Sequence, residues 1–204
     1  MYAVGHIAIG YLTGKALGKT LKVKPNLPLI FIASIAPDID ILIPGLTHRG
    51  PTHSIIILTL LFLPLFTIYG RKAAPYFIAI IQHPLIGDYI TGGTQLLYPL
   101  TASYYGIHIS VASQTNITIE WMFFITSLLV ITKTGDLDSL LQPHQTNLLL
   151  AIPAASLLLP TLTNFPVQVP KEHLTPHIAY IILFITSILI DLKATIKKPK
   201  QRHR

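Results

Sequence analysis

The stretch Ser54-Ile55-Ile56-Ile57-Leu58-Thr59-Leu60-Leu61-Phe62-Leu63-Pro64-Leu65-Phe66-Thr67-Ile68-Tyr69 holds no charged residue and is closed by Gly70-Arg71-Lys72. A helix on the surface of a soluble domain carries an apolar stripe and a polar face; a helix that is apolar all round is buried in protein or in lipid. Comparable blocks recur at residues 27–44, 74–98, 117–132, 147–163 and 177–192, with the charges falling between them. Several are about 16 or 17 residues long, the lower limit for crossing a bilayer core as a helix. The pattern predicts an all-α protein: one polytopic transmembrane domain over 1–204, with about six spans plus a short N-terminal helix.

Composition agrees. The chain is 51% hydrophobic and 11% charged, against about 25% charged residues in a soluble domain. Cysteine is absent, which excludes disulfides and thiolate metal sites. The first segment, 1–17, has no basic leader region, and glycines and His6 break its apolar run, so it is expected to stay in the mature protein.

The formal net charge is +7, and much of it lies in the tail, 193–204. Such a tail reads as a cytoplasmic anchor beside anionic lipid rather than a nucleic-acid arm. Lys15 to Lys24, Arg71 and Lys72, and Lys133 alternate with the blocks so that all four basic groups can sit in the cytoplasm. The expected location is the cytoplasmic membrane, with a cytoplasmic C-terminus and with loops 45–53, 100–116 and 164–176 outside.

That orientation gathers the unusual polar residues. His6 lies early in an outside-to-inside segment. Asp38 and Asp40 lie late in an outward block, His48 and His53 in the outer loop, and His83 and Asp88 late in another outward block. Ionisable groups in membrane segments are costly unless paired, metal-bound or lining a cavity. In Ala36-Pro37-Asp38-Ile39-Asp40 the proline disfavours helix just before it, so both carboxylates can turn to one cavity. In His48-Arg49-Gly50-Pro51-Thr52-His53-Ser54 a turn can bring two imidazoles together, Thr52 or Ser54 can cap the next helix, and Arg49 can fork onto a phosphate. His83-Pro84-Leu85-Ile86-Gly87-Asp88 supplies a third His and Asp pair. Imidazole plus carboxylate suits zinc, manganese or iron better than calcium or magnesium. His108 and Glu120 lie on the outer side and either join the site or face water or the interface, the second being favoured; His144, His173, His177 and His203 read as loop or end residues, and Asn116-Ile117-Thr118 fits a glycosylation acceptor.

These motifs, with Gly92-Gly93 and Leu96-Leu97-Tyr98-Pro99, make the first half of the chain resemble the LexA-regulated, membrane-bound metal-dependent hydrolases, inner-membrane proteins of bacteria and archaea. The resemblance implies a distant relation to zinc-dependent phospholipases C and single-strand nucleases. It implies His6, Asp38, His53, His83 and Asp88 as metal ligands, with Asp40 and His48 as ligands or as their outer support. It further implies one or two divalent ions, zinc first, activating a water against a phosphoester. The soluble relatives use His-x-x-x-Asp, whereas four residues separate His83 from Asp88, so a bulge near Pro84 or Gly87 is expected. Their further His-x-x-x-Glu pair has no counterpart.

The expected activity is therefore that of a membrane-embedded metal-dependent hydrolase acting on a lipid or lipid-linked phosphoester. Asp40 is the expected base, and Arg49 stabilises charge on phosphate oxygens. The alternatives are a metal or ion transporter, and a membrane protein with a purely stabilising metal.

Overall fold

The computed structural model describes residues 1–197; the basic tail beyond, with Lys198, Lys200, Arg202 and Arg204, lies outside the described residues. Helix α1 (Ala3–Thr20) is the centre of the bundle, not a peripheral segment: Val4, Ile7, Ala8 and Tyr11 are fully buried. It packs against α2 (Leu27–Ile35), α4 (Ala74–Gln82) and α5 (Gln114–Lys133). Small residues permit that approach. A side chain at Gly10 would strike Ser34 Oγ, and one at Gly14 would come within 2.9 Å of the Pro75 carbonyl.

The block at 27–44 does not form one span. Helix α2 starts at Asn26, whose side chain accepts from Leu29 N–H, and lasts 9 residues. From Ala36 to Leu42 the chain is a 3-10 helix opened by Pro37. Helix α3 (Ile55–Tyr69) is capped by Ser54, which accepts from the N–H groups of Ile56 and Ile57. It turns back at Gly70, where φ is +54°. In one straight helix Phe62 and Phe77 would stand about 22 Å apart; their ring centroids are 5.3 Å apart. Helices α3 and α4 therefore form a hairpin. The second half adds α5, a short α6 (Asp136–Leu140), α7 (Ala151–Thr163) and α8 (Leu174–Lys197).

Four helical stretches are long and apolar enough to cross a membrane: Ile55–Asp88, Gln114–Lys133, Gln145–Thr163 and Lys171–Ile196. One of these stretches, Ile55–Asp88, holds both arms of the hairpin, and α2, with 9 residues, is too short to be among them. Most of α3 faces outward, with Leu60, Leu61, Leu63 and Ile68 exposed, as expected of a lipid-facing helix. Among the described residues no β-strand is present, only an isolated bridge between Thr94 and Tyr105.

The two ends of the bundle differ. Helices α1, α3, α5 and α8 start at one end; α2, α4 and α7 finish there. At that end His6 meets His83, and Glu120 meets both Tyr2 and His173. At the far end Lys15, Lys19, Lys22 and Lys24 gather around Asp136, which binds Lys15 Nζ at 2.6 Å and accepts from Tyr11 at 2.7 Å. With 18 residues, α1 separates the two ends by about 27 Å.

Candidate metal centre

Three backbone irregularities bring the donors together. The 3-10 helix after α2 carries Asp38 and Asp40 and points them to different neighbours. The short 3-10 turn Pro51–His53 follows Arg49, whose φ is +63°, and turns His53 inward until it is fully buried. The segment His83–Asp88 is a π-helix. Its i→i+5 hydrogen bonding places residues five apart on one face, which is the spacing of His83 and Asp88. Pro84 contributes by removing a backbone donor. The bulge expected from the sequence is thus a single π-helical turn.

Around one point lie Asp38 Oδ1, His53 Nε2, His83 Nε2 and Asp88 Oδ2. His83 Nε2 is 3.2 Å from Asp38 Oδ1 and 3.4 Å from Asp88 Oδ2. His53 Nε2 is 3.5 Å from Asp38 Oδ1 and 3.2 Å from Asp88 Oδ2. Four donors tetrahedrally disposed about zinc, with bonds of about 2.0–2.1 Å, stand about 3.3–3.4 Å from each other. The four separations above lie close to that range, as a group able to hold a metal ion requires.

Hydrogen bonding supports the fit. His53 Nε2, His83 Nε2 and Asp88 Oδ2 are buried and have no hydrogen-bond partner, although opposite donors lie so close. They aim at a common centre and not at one another. His83 Nδ1 is 2.7 Å from the Ser34 carbonyl, an acceptor only, so Nδ1 carries the proton and a neutral ring presents a lone pair at Nε2. Left without an ion, buried polar atoms in this arrangement cost several kcal/mol.

The surrounding groups hold the donors in place. Asp40 lies 3.2 Å from His53 Nδ1 and also receives Thr52 Oγ1 at 2.8 Å, Arg49 N–H at 3.1 Å and His48 Nδ1 at 3.1 Å. So placed, Asp40 sits beside the ring of His53, with its oxygens taken up by Thr52, Arg49 N–H and His48. A carboxylate–histidine pair of this kind fixes the ring and raises its basicity as a ligand. Replacing Asp40 by Asn should lower metal affinity about 10–100-fold. Titration with a chelating indicator measures this, and circular dichroism should show unchanged helix content. Burial alone would lower the pKa of His53, but the carboxylates of Asp38, Asp40 and Asp88 raise it to about 10. A metal that takes Nε2 at neutral pH must displace a proton, so uptake weakens as pH falls.

Arg49 is occupied as well. Its Nη1 donates to the Thr91 carbonyl at 2.7 Å and its Nη2 to Asp88 Oδ1 at 3.0 Å. It therefore steers Asp88, leaving Oδ2 for the centre, and does not reach out as a phosphate fork. Met1 N also meets Asp88 Oδ1, at 3.1 Å. His6 lies outside the four-donor set. Its ring stacks on His83 with centroids 3.6 Å apart, and its Nε2 is 3.5 Å from Asp88 Oδ1. His48 is also outside that set and joins Asp40 and His53 in a second, more open group. Its side chain is 44% exposed and stands 4.0 Å from Asp38, which is the only one of the four donors with appreciable exposure, at 26%.

Sequence reasoning misplaced several residues of the second half. Glu120 and His173 are fully buried and paired at 2.9 Å, and His177 is buried beside them. Glu120 also accepts Tyr2 N–H at 2.9 Å and so seats the first turn of α1, the turn that carries His6. Local sequence gives no sign of this, because the partners are over fifty residues away from Glu120 on either side. Asn116 is fully buried, with its amide donating to Glu120 at 2.7 Å, so the glycosylation reading fails for lack of access. His108 and His144 are exposed, as the sequence suggested.

No curated protein and no solved structure matches the chain. A family model described as YdjM inner membrane protein matches residues 1–167, which include all four donors and the residues that hold them. By that match, and in agreement with the inner-membrane resemblance of its motifs, the chain belongs to the YdjM inner membrane protein family.

Proposed function

We propose that the chain is a metal-dependent hydrolase that cleaves a phosphoester of a membrane-borne lipid or lipid-linked substrate. The observation that carries this reading is the four-donor set, in which His53, His83 and Asp88 are buried and Asp38 is partly exposed. Two imidazoles and two carboxylates favour zinc. Asp38, His53, His83 and Asp88 would hold a divalent ion, which would supply an acidified water and a counter-charge for phosphate oxygens. The chain's own part is orientation: Ser34 holds His83, Asp40 holds His53, and Arg49 holds Asp88. His48, with Nδ1 tied to Asp40 and its side chain partly exposed, is the group we assign to proton exchange with the leaving group.

The test uses protein in lipid nanodiscs. Zinc-loaded wild type should hydrolyse a phosphodiester ester or a phospholipid, chelation should abolish turnover, and added zinc should restore it. Asp38→Ala should reduce turnover by at least about 100-fold, as expected when a group at the reacting centre is lost. A second reading also has an observation behind it: four protein donors are typical of structural zinc, whereas catalytic sites usually keep a position open. Full metal occupancy with no turnover across monoesters, diesters and phospholipids would establish that reading in place of the hydrolase.

The same proposal sets the metal centre at the outer face. The lysines of α1 and of the segment after it gather at the opposite end of the bundle, and Arg71 and Lys72 lie at the far turn of the hairpin. Basic loops favour the cytoplasm. A cysteine at Thr47 should react with a membrane-impermeant thiol reagent on intact cells, and one at Lys72 should not; the reverse pattern would invert the topology.

A further inference from the structure

Beside the metal centre runs a cleft of about 420 Å³. One wall is polar and is made by Asp40 and His48, the residues that support His53. The rest is apolar: Ile41, Leu42, Ile43 and Leu46 from the loop after α2, and Phe165 just beyond α7. These walls come from chain segments over a hundred residues apart, brought together at one end of the bundle. Leu42 is 63% exposed and Phe165 48%, so much of their apolar surface is left uncovered by the described residues.

We infer that this cleft seats the alkyl chain of a membrane-lipid phosphoester, with the phosphate at its Asp38–His48 end. The inference rests on the phosphoesterase reading and names where that substrate's apolar part lies. Three features of the cleft favour such an occupant. Its volume falls in the range of small-molecule sites, about 300–1,000 Å³. It adjoins the metal centre: Asp40 and His48 line it, and His48 stands 4.0 Å from Asp38, the exposed donor. Its lining is polar at Asp40 and His48 and apolar elsewhere, as an amphiphile with a polar head requires. A small soluble phosphoester would leave the apolar wall wet, at a cost of about 25 cal/mol per Å² of apolar surface.

The probe is a non-hydrolysable alkylphosphonate with a diazirine at the chain end, used with the full chain in phosphatidylcholine nanodiscs. After photolysis, peptide mapping should place the label on residues 41–46 and 164–166. Leu46→Asn with Phe165→Asn should cut that labelling by at least about tenfold, since both changes remove apolar surface that the chain would cover. Metal content in the same sample shows that the centre is intact. Label confined to the lipid-facing residues of α3, or cleft labelling unchanged in the double variant, would overturn the inference. Hydrolysis of a short, soluble phosphodiester by wild type is measured separately. If it occurs while the label misses the cleft, the chain seat is wrong and the hydrolase stands; if the label fills the cleft without any hydrolysis, the site binds lipid and the hydrolase reading fails.

Discussion

Replacing His83 by alanine should strip the protein of its metal. His83 supplies one of four donors, stands 3.2 Å and 3.4 Å from two others, and is fixed by the Ser34 carbonyl. Loss of an outer partner alone costs about 10–100-fold in affinity, so loss of a donor should cost more than about 100-fold. Elemental analysis should find about one ion per wild-type chain and almost none in the variant. Stability should follow. A ligand present at about a thousand times its Kd stabilises the folded state by about 4.1 kcal/mol. A chelator should therefore lower the melting temperature of the wild type and leave His83→Ala unmoved. An unchanged metal content in a folded His83→Ala protein would remove the four-donor assignment.

Gly87→Ala should be nearly as damaging for a different reason. A methyl group there would strike Cε1 and Nδ1 of the His6 ring, which is itself held by stacking on His83. Overpacking of this kind costs about 1–3 kcal/mol. The relief must come from moving His6 or from unwinding the π-helical turn, and the second route carries Asp88 out of the donor set. Metal affinity and melting temperature should both fall. The double variant Gly87→Ala with His6→Ala opens the space again and should regain metal affinity relative to the single change, a coupling that a double-mutant cycle measures. Recovery requires that His6 packs against the centre without ligating it. Were His6 a donor, the double variant would bind metal more weakly than either single one.

The membrane character of the chain was legible without coordinates, because it depends on composition and on runs of apolar residues, which are local. The same holds for the motifs. Asp38, His53, His83 and Asp88 stood out because ionisable groups among apolar neighbours are costly and call for a partner. The number of spans was less legible. Blocks of apolar residues do not reveal that Pro37 converts the end of α2 into a 3-10 helix, or that α3 and α4 fold against each other through Phe62, Phe66 and Phe77.

What the sequence by itself determined is the lipid setting, the helical class and the identity of the groups able to hold a metal, since each follows from residue type and near neighbours. Only the tertiary structure decided which of them share one point. His83 and Asp88 meet because a π-helical turn supplies the phase that an α-helix withholds. Asp40 is drawn to Thr52, His48 and Arg49 N–H beside the His53 ring, and the Arg49 guanidinium to Thr91 and Asp88. His6 becomes a stacking partner of His83, and Glu120 and His173 leave the surface to anchor α1. Each outcome is set by side chains distant in sequence competing for the same few atoms, and that competition exists only once the helices have packed.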